Sequence, residues 1–315
     1  MTDYKTLKGI GVKSVAGDPT ALVGHVWYDS DANAFQVFKT VGAWATGGTL
    51  NTVRCMMATQ GSQTAGLLSG GNTPSNVANS EEYNGVDWTE GNDMQSARAN
   101  ICGAGGAATQ TAGLAAGGGP PASTNTEEYD GTTWAETADL GTGAYGKGMC
   151  GTQTAGLCWS GYTAPLTVNS EEYNGTGWTE GNNLNEAKGY SVGTGTQTAG
   201  LTFGGSSVEV ESYDGTSWSE VAEVSESRNK PGGFGIQTAT LAVGTATAPI
   251  DAVEEYNGTS LASTTALSTG RSELMVGAGT TSSGLVAGGN DGSTSHLAIC
   301  EEWTKAATAQ EITSS

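Results

Sequence analysis

Gly151–Trp178 reads GTQTAGLCWSGYTAPLTVNSEEYNGTGW, and three short words in it recur along the chain at a nearly fixed spacing. The word QTAGL begins at Gln63, Gln110, Gln153 and Gln197, becomes QTATL at Gln237 and decays to TSSGL at Thr281. Its closing leucines are Leu67, Leu114, Leu157, Leu201, Leu241 and Leu285, at spacings of 47, 43, 44, 40 and 44 residues. The word EEY ends at Tyr83, Tyr129, Tyr173 and Tyr256, with variants ESY at Tyr213 and EEW at Trp303. Five residues later come Trp88, Trp134, Trp178 and Trp218, then Leu261. Self-similarity at such a period marks an array of one repeated supersecondary unit.

Composition narrows what that unit is. Fifty of the 315 residues are glycine, too many for helices, where each interior glycine costs about 0.5–1 kcal/mol relative to alanine. Twelve basic against 32 acidic residues give a net charge of −20, which repels phosphate backbones and excludes a nucleic-acid partner. No apolar run is long enough for a transmembrane helix. The start, MTDYKTLKGIGVK, lacks the apolar stretch of a signal peptide. The five cysteines (Cys55, Cys102, Cys150, Cys158 and Cys300) are odd in number and form no CxxC pair. They read as small buried apolar residues in reduced form.

The period in the forties, with a double glycine followed by Tyr and Trp, resembles kelch repeats over roughly residues 41 to 304. The double glycine stands at Gly70-Gly71, Gly117-Gly118, Gly204-Gly205 and Gly288-Gly289, and degrades to Ser160-Gly161 and Gly244-Thr245. The resemblance implies an all-β, six-bladed β-propeller with four strands, a to d, in each blade. In the second blade, strand a falls around 101–106, b at 111–116, c at 125–129 and d at 133–136. Strands a and b, nearest the axis, are expected to have room only for Gly, Ala, Ser and Thr. Tyr and Trp fill the wedge between diverging blades. The Asn-Gly and Asp-Gly pairs at 84–85, 130–131, 174–175, 214–215 and 257–258 read as type I′ hairpin turns.

Trp44 lies ten residues before Arg54, as Trp88 lies ten before Arg98. It therefore marks a d strand with no a, b or c before it, while Trp303 ends a c strand with no d after it. An N-terminal d strand that completes the sixth blade closes the ring and removes its free edges. The expected organisation is an arm over 1–24, a β-hairpin over 25–40, the propeller over 41–305 and a tail over 306–315.

Aligning the repeats on QTAGL places Arg54, Arg98, Lys188, Arg228 and Arg271 at one position before strand a, with Ala144 in the third blade. They are either an anion-binding ring or, the weightier reading, structural partners of glutamates in a neighbouring strand c. The dipeptides Glu81-Glu82, Glu127-Glu128, Glu171-Glu172, Glu254-Glu255 and Glu301-Glu302 point to opposite faces of a strand. A motif repeated five times is scaffold, so no catalytic residue and no enzyme activity is expected. His25 and His296 are too few for most His-based metal sites, and the Gly288–Gly292 loop lacks the later glutamate of a calcium loop. No cofactor or metal is expected. The b–c loops vary most between blades and carry the candidate recognition residues Asn72, Pro74, Pro120, Pro165, Pro249 and Asp291. Lys5, Lys8 and Lys13 make the arm a candidate anchor to an acidic neighbour.

The wording GTQTAGL…GG…EEYNGT also resembles kelch-like structural proteins of tailed, marine bacteriophages. That resemblance implies a non-enzymatic virion protein of a tail, fibre or capsid surface, made in the host cytoplasm. Its partners would be other virion proteins through the arm, further copies of itself, or a host-surface glycan or protein. The alternative is a bacterial kelch-type module that binds a glycan or protein outside any virion.

Overall fold

The computed structural model describes residues 14–16, 23–105, 108–205, 207–248, 250–274, 277–293 and 295–312. Lys5, Lys8, Lys13 and Pro249 lie outside the described residues. Every regular element among the described residues is a β-strand, so no helix there is long and apolar enough to cross a membrane. The chain forms two compact units, Trp44–Trp303 and Met1–Ala43 with Thr304–Ser315.

The larger unit is a six-bladed β-propeller of four-stranded antiparallel sheets. Blade 1 comprises Ala58–Ser62 (a), Ala65–Ser69 (b), Ser80–Tyr83 (c) and Trp88–Glu90 (d). Blade 3 repeats it with Gly148–Thr152, Ala155–Trp159, Ser170–Tyr173 and Trp178–Glu180. In blade 6, strand a is Ala278–Thr280, b is Ser283–Ala287, and c is the start of the strand Cys300–Glu311. Its d strand is the end of Ala34–Thr46. Trp44 packs on Trp303 with ring centroids 5.1 Å apart, the same cross-strand pair that Tyr83 and Trp88 make at 4.8 Å. Trp44 also donates Nε1–H to the Thr265 carbonyl (3.0 Å). The a strands contact one another in a closed cycle, that of blade 6 against that of blade 1.

Six hydrophobic clusters fill the six gaps between consecutive blades. Leu67 of blade 1 packs with Ile101, Tyr129 and Trp134 of blade 2, and Leu285 and Cys300 of blade 6 pack with Tyr83 and Trp88 of blade 1. The inner strands are less restricted than the taper suggests. Trp159, Phe203, Phe234 and Met149 all lie in a or b strands and are buried. Glycines opposite make the room: a Cβ on Gly148 would stand 2.4 Å from the Trp159 Nε1, and one on Gly284 2.3 Å from the Phe234 ring.

Polar side chains fasten five of the blades to the one before. Gln110 donates Nε2–H to the carbonyls of Gly66 (3.0 Å) and Tyr83 (2.8 Å). Gln153, Gln197 and Gln237 repeat this on Tyr129, Tyr173 and Tyr213, at 2.9, 2.8 and 2.6 Å. At the closure, Gln63 donates to the Trp303 carbonyl (2.9 Å). The second glutamate of four of the five dipeptides accepts the tyrosine hydroxyl of the next blade. Tyr129 donates to Glu82 (2.5 Å), Tyr173 to Glu128 (2.7 Å) and Tyr213 to Glu172 (2.6 Å), and Tyr83 donates to Glu302 (2.5 Å) across the closure. Burial and the glutamate acceptors raise these phenols, Tyr173 to about 12 despite the opposing Thr137 bond, so they stay neutral donors.

The c–d turns depart from the type I′ expectation. Tyr83 pairs with Trp88, leaving a four-residue connection in which Gly85 is left-handed (φ 90°) and Asn84 is not among the positive-φ residues. The Asn84 side chain accepts from the N–H groups of Val86 (2.9 Å) and Asp87 (2.8 Å). Asp130 does the same for Thr132 and Thr133, and these bonds hold its carboxyl below the usual range. An Asx turn closed by the side chain replaces the two-residue hairpin.

In the smaller unit, Val26–Asp29 pairs antiparallel with the start of Ala34–Thr46 in the register Val26↔Val37 and Asp29↔Ala34. Trp27 packs on Phe38 at 4.5 Å. The last strand runs on through Glu311 rather than ending near 305, and Ile312 donates its N–H to the Phe35 carbonyl (2.8 Å).

Deleting residues 1–48 removes the sixth d strand and exposes the edge of the strand that begins at Cys300. The truncated chain is expected to melt lower and to self-associate in size-exclusion chromatography. A monomer with an unchanged melting temperature would contradict closure by that strand.

Candidate functional site

The aligned cations sit before each a strand and are buried. Arg54 pairs with Glu81 (2.8 Å), Arg98 with Glu127 (2.7 Å), Arg228 with Glu254 (2.8 Å), Lys188 with Glu211 (3.6 Å), and Arg271 with Glu301. The acceptor is the first glutamate of the dipeptide in the same blade, or the Glu211 that stands for it, and not one in a neighbouring blade. The guanidinium also ties two carbonyls of that blade: Arg98 donates to Gly117 (2.8 Å) and Asn125 (2.7 Å). Burial lowers the proton affinity of Arg54 and Arg271, and Glu81 and Glu301 oppose that shift. In the third blade Ala144 holds the aligned position, and the charge comes from Lys147, three residues later. Its Nζ lies 4.0 Å from Glu171 and donates to the Ser160 carbonyl (3.2 Å). The sequence alignment missed Lys147 because a lysine stem can reach the same carboxylate from another backbone position.

The double glycine belongs to this network. Gly70 and Gly71 are left-handed (φ 63° and 114°), and a Cβ on Gly71 would meet the Cys55 carbonyl at 2.8 Å. The Gly71 N–H donates to the carbonyl of Arg98 in the next blade (2.8 Å), and Gly289 repeats this on Arg54 (3.0 Å). The repeated charges and glycines are thus engaged in the scaffold.

What the repeat does not engage collects at one mouth of the ring. Two residues after each cation position stand Met56, Asn100, Gly146, Tyr190, Lys230 and Glu273, all left-handed with φ between 51° and 63°. Backbone bonds link them around the axis. Met56 N–H donates to Glu273 O (2.8 Å), Asn100 to Met56 (2.9 Å), Gly146 to Asn100 (3.0 Å), Tyr190 to Gly146 (2.7 Å), and Glu273 to Lys230 (2.9 Å). At the remaining junction the Lys230 ammonium lies 5.0 Å from the centroid of the Tyr190 ring. The residue differs in every blade, so one backbone device presents five different side chains and, at Gly146, none. No repeated word in the sequence includes them, which is why they escaped the sequence reading.

The b–c loops open on the same face, since Cys55 and Asn72 exchange backbone bonds (3.2 and 2.9 Å). Lys230 pairs with Glu273 (2.7 Å). Beside them, Cys55, Glu273 and His296 bring their ligand atoms within 4.8 Å of one another. On the other side, Tyr145 packs against Tyr162 (5.2 Å) and Tyr190 (6.1 Å). Of the candidate loop residues, Pro74, Pro120 and Pro165 are exposed and Asn72 is half-buried. Asp291 caps its own turn through Ser293 N–H (3.0 Å). Asn51, Thr52, Val53, Thr73, Pro74 and His296 line an open depression of about 580 Å³.

No protein-family model matches the chain, and no curated protein matches it in sequence. In fold it is similar to a bacterial protein whose solved structure is described as the structure of YjhT. The TM-score is 0.68 at 10% identity, covering 84% of this chain and 99% of that one. At that identity the likeness establishes the six-bladed propeller and nothing about activity.

Replacing Arg98 with alanine leaves the buried Glu127 without its cation. The expected loss is about 3–5 kcal/mol in urea unfolding. Lys147→Ala should cost less, because its ammonium stands farther from Glu171. A loss under about 1 kcal/mol for Arg98→Ala, the range of an exposed pair, would contradict a structural role.

Proposed function

We propose that the chain is a non-enzymatic structural protein of a tailed-phage particle, in a tail, fibre or capsid-surface position. Its kelch-like propeller presents the b–c face for host recognition or packing, and the arm bearing Lys5, Lys8 and Lys13 attaches it to other virion proteins. The observation that carries this reading is the division of labour among side chains. Repeated Arg and Glu residues brace each blade internally and repeated Gln, Tyr, Glu and Trp residues hold blade to blade, while unrepeated ones gather at a single mouth. An active site is built once, from groups freed from the scaffold, and the carboxylates of the repeat are bound to internal partners instead. The wording of the repeat supports the phage assignment, and its synthesis would be in the host cytoplasm.

The Tyr145–Tyr162–Tyr190 cluster favours a second reading, a bacterial glycan- or protein-binding module outside any virion. Aromatic rings with one exposed face, such as Tyr162 at 38% exposure, offer large rigid contact area at low entropic cost.

Quantitative mass spectrometry of gradient-purified particles tests the first reading. A fixed copy number per particle is expected. Absence from particles, together with glycan-array binding that Tyr162→Ala abolishes, would replace it with the second.

A further inference from the structure

Three side chains at the axial mouth combine a thiol, a carboxylate and an imidazole. Cys55 comes from the connection before strand a of blade 1, Glu273 from the equivalent connection of blade 6, and His296 from the b–c loop of blade 6. The ligand atoms of all three lie within 4.8 Å of one another. Each backbone is pinned by main-chain bonds on or next to the residue. Cys55 N–H donates to Asn72 O (3.2 Å), and Met56 N–H to Glu273 O (2.8 Å). Ser272 and Asn290 exchange bonds at 2.9 and 2.8 Å, and Leu297 N–H donates to Gly289 O (2.9 Å). The donor atoms therefore converge on rigid supports, which is the condition for a site of fixed geometry.

We propose that Cys55 Sγ, a Glu273 carboxylate oxygen and the His296 imidazole bind one borderline divalent transition-metal ion of the zinc class. Thiolate and imidazole select such ions over magnesium or calcium, which take oxygen ligands. Three protein ligands leave the fourth tetrahedral position open, the pattern of zinc sites that bind a water or a small ligand. His296 also lines the depression that opens to solvent beside Asn51 and Thr73, giving the ion an entry path and the fourth ligand a place. Lys230 holds Glu273 Oε1 at 2.7 Å and so orients the carboxylate from outside, as a partner in the outer shell of a metal does. On binding, the thiol proton leaves to solvent and a sulfur–metal bond forms, with no change of oxidation state. The site does not depend on the phage reading, and either kind of protein can carry it.

Cobalt(II), which reports thiolate ligation through a charge-transfer absorption, tests this on the chelator-treated full-length chain. The expected result is one cobalt per chain with a thiolate band, displaced by zinc, and a raised melting temperature in excess zinc. Cys55→Ser should abolish the band. His296→Ala should weaken zinc binding by more than the roughly 10–100-fold lost with an outer-shell partner. His25→Ala should change neither. Because Cys55 is buried and its variant can fail to fold, His296→Ala on its half-buried loop serves as the independent arm. No thiolate band in the wild-type chain, or zinc affinity unchanged by His296→Ala, overturns the proposal.

Discussion

In four of the blades a glutamine amide satisfies two main-chain carbonyls of the blade before it. Gln110, Gln153, Gln197 and Gln237 reach back in this way, and Gln63 reaches across the closure to Trp303. A buried carbonyl left without a donor costs about 1–3 kcal/mol, so blades 1 to 4 and blade 6 each need the next one in place. The tyrosine-to-glutamate bonds run between four of these five pairs of blades. An open array would leave one end of this chain of dependence unsatisfied. The d strand borrowed from the N-terminal segment completes the sixth blade, whose junction with the first carries the same bonds as those between blades 1 and 4.

The ion pairs act within a blade. A buried Arg–Glu pair contributes little net energy against its desolvation, but removing one partner is costly. Its effect here is to fix geometry: the cation joins the double glycine, the start of strand c and the first glutamate. The second residue after the cation position then turns left-handed and, except at Gly146, presents a side chain at the mouth. Charge that looks functional in the sequence is thus structural, and it positions the unrepeated groups at the mouth.

The ring and its closure were legible because they are written in repeated words. Trp44 and Trp303 reveal the shared blade by their spacing alone. What was not legible depends on where backbone and side chain go in space. Asn84 was read as a turn residue of the right kind, but its side-chain bonds select a longer turn than the Asn-Gly pair suggests. Ala144 occupies the aligned position while Lys147 supplies the charge. The mouth residues share a conformation and not a residue type, so no word marks them. The grouping of Cys55, Glu273 and His296 was not legible either, because they lie 218 and 23 residues apart in sequence (273 − 55 and 296 − 273).

The central claim is that the ring closes through the same bond that joins its interior blades. A double-mutant cycle of Tyr83→Phe with Glu302→Gln, beside one of Tyr173→Phe with Glu128→Gln, measures this directly. The account predicts coupling of the same sign and similar size at both junctions, within the range of about 0.5–3 kcal/mol seen for contacting residues. Coupling between Tyr173 and Glu128 with none between Tyr83 and Glu302 would contradict it.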